Sequence, residues 1–198
     1  MAPCPQRRVI APALTAAHMT QLILPQHANS IGITFGGWVM RWMEQCAWIA
    51  ASRVARGAYL LTASLDTLAF LSPTRVGDIL YVEAQATAIF GSSAELLISV
   101  WAETPEEGGL FECGDAYATV VSINDQGQPL DIPFELAPQT PQDHVRYRGA
   151  LERRNARLAM RADLLAVQKR RPALDGVSER TAADDSAMHR ALSSARGH

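Results

Sequence analysis

The segment from Thr34 to Gly57, with the sequence TFGGWVMRWMEQCAWIAASRVARG, carries the pattern on which the predicted fold depends. At 100° per residue its apolar side chains fall on one stripe of a helix. The stripe consists of Val39, Met43, Cys46, Ala47, Ala50 and Val54. The opposite side is largely apolar too, because tryptophans flank its few polar residues. We therefore predict a helix over Gly36–Val54 that is enclosed by other elements, with Thr34 as its N-cap.

After this helix the apolar period changes from helical spacing to two, which is typical of strands. The predicted strands are Leu61–Phe70, Leu80–Thr87, Ala94–Glu103 and Phe111–Ile123. Short turns separate them, so we expect hairpins and an antiparallel sheet. Before the helix, Thr20–Leu24 is a possible short strand that Pro25 ends. One apolar helix followed by four hairpin strands indicates an α+β domain in which a curved sheet wraps the helix.

Four regions are predicted along the chain from composition. They are an N-terminal arm over 1–19, the α+β domain over 20–133, a proline linker with a basic helix over 134–171, and a disordered tail over 172–198. Between Asp143 and Arg171 there are nine Lys or Arg and three Asp or Glu. This basic helix is either packed on the flank of a dimer or a surface for an anionic partner, such as CoA phosphates or a polyanion.

Composition excludes several classes of protein. The chain has 198 residues and a net charge of -2, which excludes a globally basic nucleic-acid-binding protein. Its three scattered cysteines form no Cys-x-x-Cys pair, so we expect a reducing compartment and no metal. Phosphate-loop, dinucleotide and nucleophilic-serine motifs are absent from the sequence, and no apolar run is long enough to span a membrane. We expect a soluble cytoplasmic protein without cofactors, and an acid-free stretch at Arg7 leaves the mitochondrial matrix as an alternative.

The segment His27–Trp38, HANSIGITFGGW, places polar residues and glycines directly before the helix. Gly36 and Gly37 would leave backbone N–H groups bare at the helix start, where they suit a carbonyl oxygen that becomes negative. Glu44 follows roughly 12 Å further along the helix axis. It is either a partly desolvated base or a solvated partner of Arg41.

Two other residues on this segment and helix also have alternatives. His27 is either a base or a structural histidine. Cys46 lies on the apolar stripe, which favours a buried small residue over a nucleophile.

This segment resembles the acyl-CoA thioesterases of the hotdog superfamily, in the cytosolic acyl-CoA hydrolase branch. It is most similar to the hotdog domains of START-linked thioesterases. The motif residues here are His27, Asn29, Gly32, Gly36, Gly37, Glu44, Ala50, Ala51 and Arg53. Phe70-x-x-Pro73, Gly77-Asp78 and Gly91-Ser92-Ser93 fit the same family at its usual spacing. The resemblance covers about residues 20–125.

The resemblance implies a single hotdog fold that hydrolyses fatty acyl-CoA to free fatty acid and CoA. It implies sites shared between subunits of a homodimer or a trimer of dimers. Asn29 would position the water or the thioester carbonyl, Gly36 and Gly37 would donate to the oxyanion, and Glu44 occupies the carboxylate position. Many bacterial relatives have an aspartate where this chain has His27, so either His27 or Glu44 is the base.

The residues expected to contact substrate are Thr62, Ser64, Arg75, Ser92 and Ser93. Strand alternation places Thr62, Ser64 and Asp66 on one sheet face, which is either a substrate surface or a solvated one. A non-hydrolytic acyl-CoA-binding or scaffold protein is the alternative function. Asn29 and Glu44 are both present, which favours the enzyme. A hotdog dehydratase would need an Asp/His pair that the sequence does not match.

Overall fold

A computed structural model describes residues 7–168. The strands are β1 (Arg8–Ile10), β2 (Ala17–Leu22), β3 (Tyr59–Phe70), β4 (Ile79–Ile89), β5 (Ser93–Glu103), β6 (Leu110–Ile123) and β7 (Phe134–Leu136), and the helices are α1 (Gly36–Ser52) and α2 (Pro141–Gln168), with 3₁₀ turns at Pro12–Thr15 and Pro25–His27. The predicted disordered tail over 172–198 and the end of the basic helix at 171 lie outside the described residues.

Five strands form one antiparallel sheet in the order β2-β4-β5-β6-β3, and α1 packs on one of its faces. The predicted α+β class, the antiparallel sheet and its hairpin strands are confirmed. Every residue of the predicted apolar stripe is buried against the sheet. The opposite side of α1 is uncovered in the single chain, since Trp48 is 50% exposed and Ile49 39%. The sheet therefore wraps the apolar stripe of α1, as predicted, and leaves the face that carries Trp48 and Ile49 open in the single chain.

The start of α1 differs from the prediction. The N-cap residue is Phe35, which makes no side-chain cap hydrogen bond. Thr34 was the wrong choice because its hydroxyl is engaged elsewhere. It donates to the Thr74 carbonyl at 3.1 Å and accepts from the Thr74 hydroxyl at 2.8 Å. No side-chain cap therefore occupies the backbone N–H groups of the first turn.

Strands extend beyond both predicted edges of the domain. The segment predicted as an arm contains β1 and the first half of β2, and β2 pairs with β4 along its whole length. Thr15 is fully buried and its hydroxyl accepts the Ala86 N–H at 2.9 Å. Within the predicted proline linker, β7 pairs in parallel with β1. The prolines lie outside these short edge strands, which is why they do not prevent the pairing.

The basic helix α2 packs on its own sheet, on the face opposite α1. Glu95 in β5 is fully buried, and its carboxylate contacts Arg153 at 2.7 Å and Arg157 at 2.9 Å. Arg157 also pairs with Asp66 of β3 at 2.8 Å, and the Arg153 guanidinium lies 3.5 Å from the centre of the Tyr117 ring. These arginines are neutralised within the subunit. This packing favours the structural interpretation of the basic segment over a docking surface for an anion.

Replacing Glu95 by glutamine should weaken the attachment of α2. Arg153 would keep its largely buried position without a counter-charge, and Arg157 would keep only Asp66, so we expect the free energy of unfolding to fall by about 3 kcal/mol. Urea denaturation followed by circular dichroism measures this change. Glu112→Gln removes an exposed carboxylate from β6 and should change stability by less than about 0.5 kcal/mol. Equal losses in the two variants would contradict a clamp at Glu95.

Candidate functional site

Asn29 organises a tight hairpin that leads into α1. Its Oδ1 accepts the backbone N–H groups of Ile31 at 3.1 Å and Ile33 at 3.0 Å. Gly32 has a φ of 78°, which a side chain would disfavour, and an Ala28–Thr34 bridge closes the loop. Because the amide oxygen holds the loop, the amide NH₂ is the group with which Asn29 can contact a substrate.

His27 is buried beside this hairpin, at the helix start. Its Nδ1 accepts the Leu24 N–H at 3.1 Å, and its ring centre lies 4.8 Å from that of Trp38 and 5.0 Å from that of Trp42. In a neutral imidazole whose Nδ1 accepts, the proton is on Nε2, so the other nitrogen is a donor. The geometry therefore favours a structural role for His27 over that of a proton acceptor.

The two glycines at the helix start have different surroundings. A Cβ on Gly36 would lie 3.2 Å from the Phe70 ring, so packing constrains this position. A Cβ on Gly37 would meet nothing within 4 Å. Gly37 thus faces open space at the positive end of the helix, where an approaching acceptor could contact backbone.

One cavity brings together three of the predicted residues. Gly37 and Glu44 of α1 and Thr62 of β3 line a space of about 330 Å³. Met40, Arg41 and Leu65 complete its walls. Gly36 lines a separate cavity of about 340 Å³ beside Thr34 and the loop after Phe70. Backbone donors, a carboxylate and a hydroxyl therefore face one space.

Glu44 is exposed in the single chain and is not paired with Arg41. The ion pairs found within residues 7–163 do not include Arg41–Glu44. Instead the Arg41 guanidinium lies 5.2 Å from the centre of the Trp38 ring. The Glu44 carboxylate is thus left facing the cavity, although the predicted partial desolvation is not present in one subunit.

Ser64 does not join this site. A register shift in β3 pairs Thr62 with Val120 but Ser64 with Thr119, so Thr62 faces α1 and Ser64 faces α2. There Ser64 donates to Asp66 Oδ2 at 3.3 Å. The prediction that these residues share a face was wrong because it assumed unbroken alternation through a β-bulge.

The other predicted contacts lie at two different places. Arg75 is exposed and bridges to Ile33, so it lies beside the Asn29 hairpin. Ser92 lies in the turn between β4 and β5, Ser93 begins β5, and the two serines line neither the Glu44 cavity nor the Gly36 cavity. The structure therefore groups Arg75 with the hairpin and separates both serines from Glu44.

Neither described cysteine has the character of a nucleophile. Burial raises the pKa of the Cys46 thiol to about 11 and that of Cys113 to about 11. The Cys46 thiol also donates a hydrogen bond to the Ala17 carbonyl oxygen, with an S···O distance of 3.4 Å. The expectation of a buried small residue at Cys46 is confirmed.

Two further findings concern the described residues only. Over 7–168, no group of three or more His, Cys, Asp or Glu side chains is arranged to hold a metal ion. Within the same range, neither helix has both the length and the apolar character that a membrane crossing requires.

Comparison with known proteins gives one consistent family. Residues 31–108 match the thioesterase superfamily. The chain is 36% identical over 151 residues to the acetyl-coenzyme A thioesterase of Rattus norvegicus. That match covers 73% of this chain and 26% of the rat protein, so the chain spans about a quarter of its relative's length.

Solved structures of bacterial enzymes share the fold. The acyl-CoA hydrolase of Staphylococcus aureus, in complex with butyryl coenzyme A, coenzyme A and coenzyme A disulfide, is 25% identical with a TM-score of 0.74 over 81% of this chain and 97% of that one. A hexameric thioesterase from Yersinia pestis is 31% identical with a TM-score of 0.55 over 58% of this chain and 93% of that one.

The structural role of His27 can be tested through stability. His27→Ala removes the acceptor of the Leu24 N–H and the ring between two tryptophans, so we expect a loss of about 2–3 kcal/mol in the free energy of unfolding. His27→Asn offers an amide oxygen as a replacement acceptor and should recover part of that loss. Urea denaturation of both variants measures the difference. Equal unfolding midpoints for parent and alanine variant would contradict this role.

Proposed function

The chain belongs to the thioesterase superfamily, and we propose that it hydrolyses acyl-CoA to a free fatty acid and CoA. The observation that carries this proposal is the cavity in which Gly37, Glu44 and Thr62 meet. It offers donors for a developing oxyanion beside a carboxylate that can accept a proton. These are the two groups that thioester hydrolysis needs.

In the proposed reaction the thioester carbonyl lies over the start of α1. Water attacks the carbonyl carbon, a C–O bond forms, and the carbonyl oxygen becomes negative. The uncapped backbone N–H groups near Gly37 stabilise that charge, and the helix dipole adds to the effect. Collapse of the intermediate breaks the C–S bond and releases CoA as its thiol.

Glu44 is the proposed general base. Its carboxylate accepts a proton from the attacking water, and that proton goes on to the departing sulfur. His27 is the weaker candidate because its Nδ1 already accepts the Leu24 N–H. The amide NH₂ of Asn29 is proposed to position the carbonyl or the water, since its oxygen is held by the hairpin.

We also propose that the site is completed by a second copy of the chain. Within the described residues, the two cavities that Glu44 lines do not include Asn29. The uncovered side of α1 exposes apolar side chains, and β3 is an edge strand on which Leu61 is 53% exposed. Both features are typical of an interface rather than of a solvated surface. A homodimer, or a hexamer built as a trimer of such dimers, would bring Asn29 of one subunit close to the Glu44 carboxylate of the other.

Two substitutions test the assigned roles. Glu44→Gln keeps the shape of the side chain but removes the proton acceptor, so kcat should fall about 10²–10⁴-fold. Asn29→Ala should also lower kcat, by loss of the positioning amide and of the hairpin's hydrogen bonds. Release of free thiol from a panel of acyl-CoAs, followed colorimetrically, measures both. Parent-like rates in both variants would refute the site.

Mixing these two variants tests whether the site is shared. If one subunit supplies Asn29 and the other Glu44, a mixed dimer has one intact site and one doubly altered site. Unfolding and refolding an equal mixture should therefore restore about a quarter of the parental activity in a two-fold symmetric assembly. If both residues act within one subunit, every site keeps a defect and the mixture stays inactive.

Gly37→Ala separates catalysis from folding. The new Cβ meets no atom of the residues that the structure describes within 4 Å, and alanine favours helix, so the free energy of unfolding should rise by up to about 1 kcal/mol. The same methyl group would block the approach of the carbonyl, and kcat should fall about 10²-fold. Thermal unfolding and thiol release measure the two effects.

The matched control is Ser52→Ala, at the other end of the same helix. It also improves helix propensity, but it lies far from the helix start and should leave kcat unchanged. Unaltered turnover by Gly37→Ala would place the oxyanion elsewhere.

A further inference from the structure

Arg157 of α2 connects two strands of the sheet that are not neighbours. Its Nη1 atom lies 2.9 Å from Glu95 Oε2 on β5 and 2.8 Å from Asp66 Oδ2 on β3. In the sheet order β6 lies between these strands, so the guanidinium crosses above it. The side chain of Glu95 is fully buried, and those of Asp66 and Arg157 are only 25% and 20% exposed. Solvent therefore screens these ion pairs much less than pairs on an open surface.

The strand that Arg157 reaches is weakly held by its backbone at this point. β3 lies at the edge of the sheet, and in the part of the chain that the structure describes only β6 pairs with it. Register shifts, each typical of a β-bulge, interrupt that pairing on both sides of Ser64–Asp66. Thr67, just beyond this segment, has a φ of 53°, which a β-branched residue rarely adopts. A short segment between two such irregularities depends on side-chain contacts for its position.

The same segment forms part of the Glu44 cavity. Leu65 lies in the middle of the segment and Thr62 just before it, and both line that cavity. Successive side chains of a strand alternate between its faces, so Leu65 faces the cavity while Asp66 faces α2. Ser64 also faces α2 and donates to Asp66 Oδ2 at 3.3 Å. A displacement of Asp66 would therefore move this wall of the cavity relative to α1.

We propose that Arg157 is a positioning residue for the hydrolysis and that it acts, through Asp66, on the wall that β3 contributes to the Glu44 cavity. The proposal rests on acyl-CoA hydrolysis at that cavity, and it adds α2 to the elements that this activity requires. The described residues that line the cavity do not include Arg157, whose ion pairs lie on the opposite face of the sheet. The polar group whose position depends on this link is the Thr62 hydroxyl.

Arg153 provides a matched comparison on the same helix. It lies one turn earlier and pairs with the other oxygen of the same carboxylate, Glu95 Oε1, at 2.7 Å. Its side chain is 23% exposed, close to the value for Arg157. Its guanidinium lies over the Tyr117 ring of β6, and within the described residues its ion pair is with Glu95 alone. The two arginines therefore share helix, burial and counter-charge, and they differ in the contact with Asp66.

Arg157→Met and Arg153→Met are compared by kcat and by urea denaturation. Each variant removes one ion pair from Glu95, so both should lower the urea midpoint. Only Arg157→Met releases Asp66, and its kcat should fall about 10–100-fold because a small displacement misplaces the reacting groups. KM should change much less, and the kcat of Arg153→Met should stay close to the parental value. Equal kcat values in the two variants would overturn the proposal.

Asp66→Ala tests the β3 end of the link and leaves both arginines on Glu95. It should reproduce the loss of kcat while α2 stays attached, so it supplies the same test if Arg157→Met does not fold. Asp66→Asn keeps an oxygen that can accept a hydrogen bond from Arg157, and it should recover part of the loss. A parental kcat in Asp66→Ala would contradict the proposed role.

A double-mutant cycle shows whether the effect passes through the wall of the cavity. In a Thr62→Ala background the group that Arg157 positions is already absent. Arg157→Met should therefore lower kcat by a smaller factor in that background than in the parent. Equal factors in the two backgrounds would mean that the arginine affects turnover by a route independent of Thr62, and the proposal would be wrong.

Hydrogen exchange separates failure of this proposal from failure of the proposed function, because it needs no turnover. Peptides that cover β3 should exchange faster in Arg157→Met than in Arg153→Met. If the parent hydrolyses no acyl-CoA but exchange in β3 rises selectively in Arg157→Met, the hydrolysis is refuted and the link to β3 is supported. Equal exchange of β3 in the two variants refutes the link, whether or not the parent is active.

Discussion

The packing of α1 on the sheet divides the helix into two faces, and most other features depend on that division. The buried face is a continuous apolar stripe whose residues are almost completely excluded from solvent. The opposite face carries Gly37, Arg41, Glu44 and Trp48, which the sheet leaves free. Because one rigid helix carries the proposed oxyanion donor and the proposed base, their spacing is fixed by helical geometry rather than by flexible loops.

The outer face of the same sheet is organised by charge instead of apolar packing. The buried carboxylate of Glu95 forms ion pairs with Arg153 and Arg157. It also accepts a hydrogen bond from the Thr87 hydroxyl at 2.9 Å. Asp66 extends the cluster to β3, the strand whose neighbouring Leu65 lines the Glu44 cavity. The ion pairs therefore fix the outer side of the strand that forms one wall of the site. Both faces of the sheet contribute to the site. The inner face packs against α1, which carries the site, and the ion pairs on the outer face hold β3 in position.

Periodicity predicted the elements well and their partners poorly. The helical stripe and the four long strands are local patterns, so the sequence alone located them to within a few residues. Thr34 was misassigned because its hydroxyl bonds to Thr74, forty residues away, and no local rule shows that contact. Ser64 was misplaced because a bulge is invisible in an alternating pattern.

The position of Glu95 was detectable in principle. It is one charge inside the apolar run from Ala94 to Ile98, and a buried carboxylate requires a cation. The basic stretch from Arg146 to Arg171 was the obvious source of such a partner. In the site, resemblance selected Asn29 and Glu44, whereas only the structure shows that Gly37 and Thr62 share a cavity with Glu44 and that the Arg41 guanidinium lies over the Trp38 ring.

Several features of the proposed site carry a cost for the isolated chain. Three features lower the free energy of unfolding, by roughly 0.5–2 kcal/mol each. They are a glycine in the first turn, a helix start without a side-chain cap and a half-exposed tryptophan. No packing contact within the described part of the chain explains Gly37, in contrast to Gly36 beside Phe70. A loss of stability that the packing of the chain does not explain is consistent with a role in binding. Backbone donors without a partner and exposed apolar surface become stabilising when a substrate or a second subunit covers them.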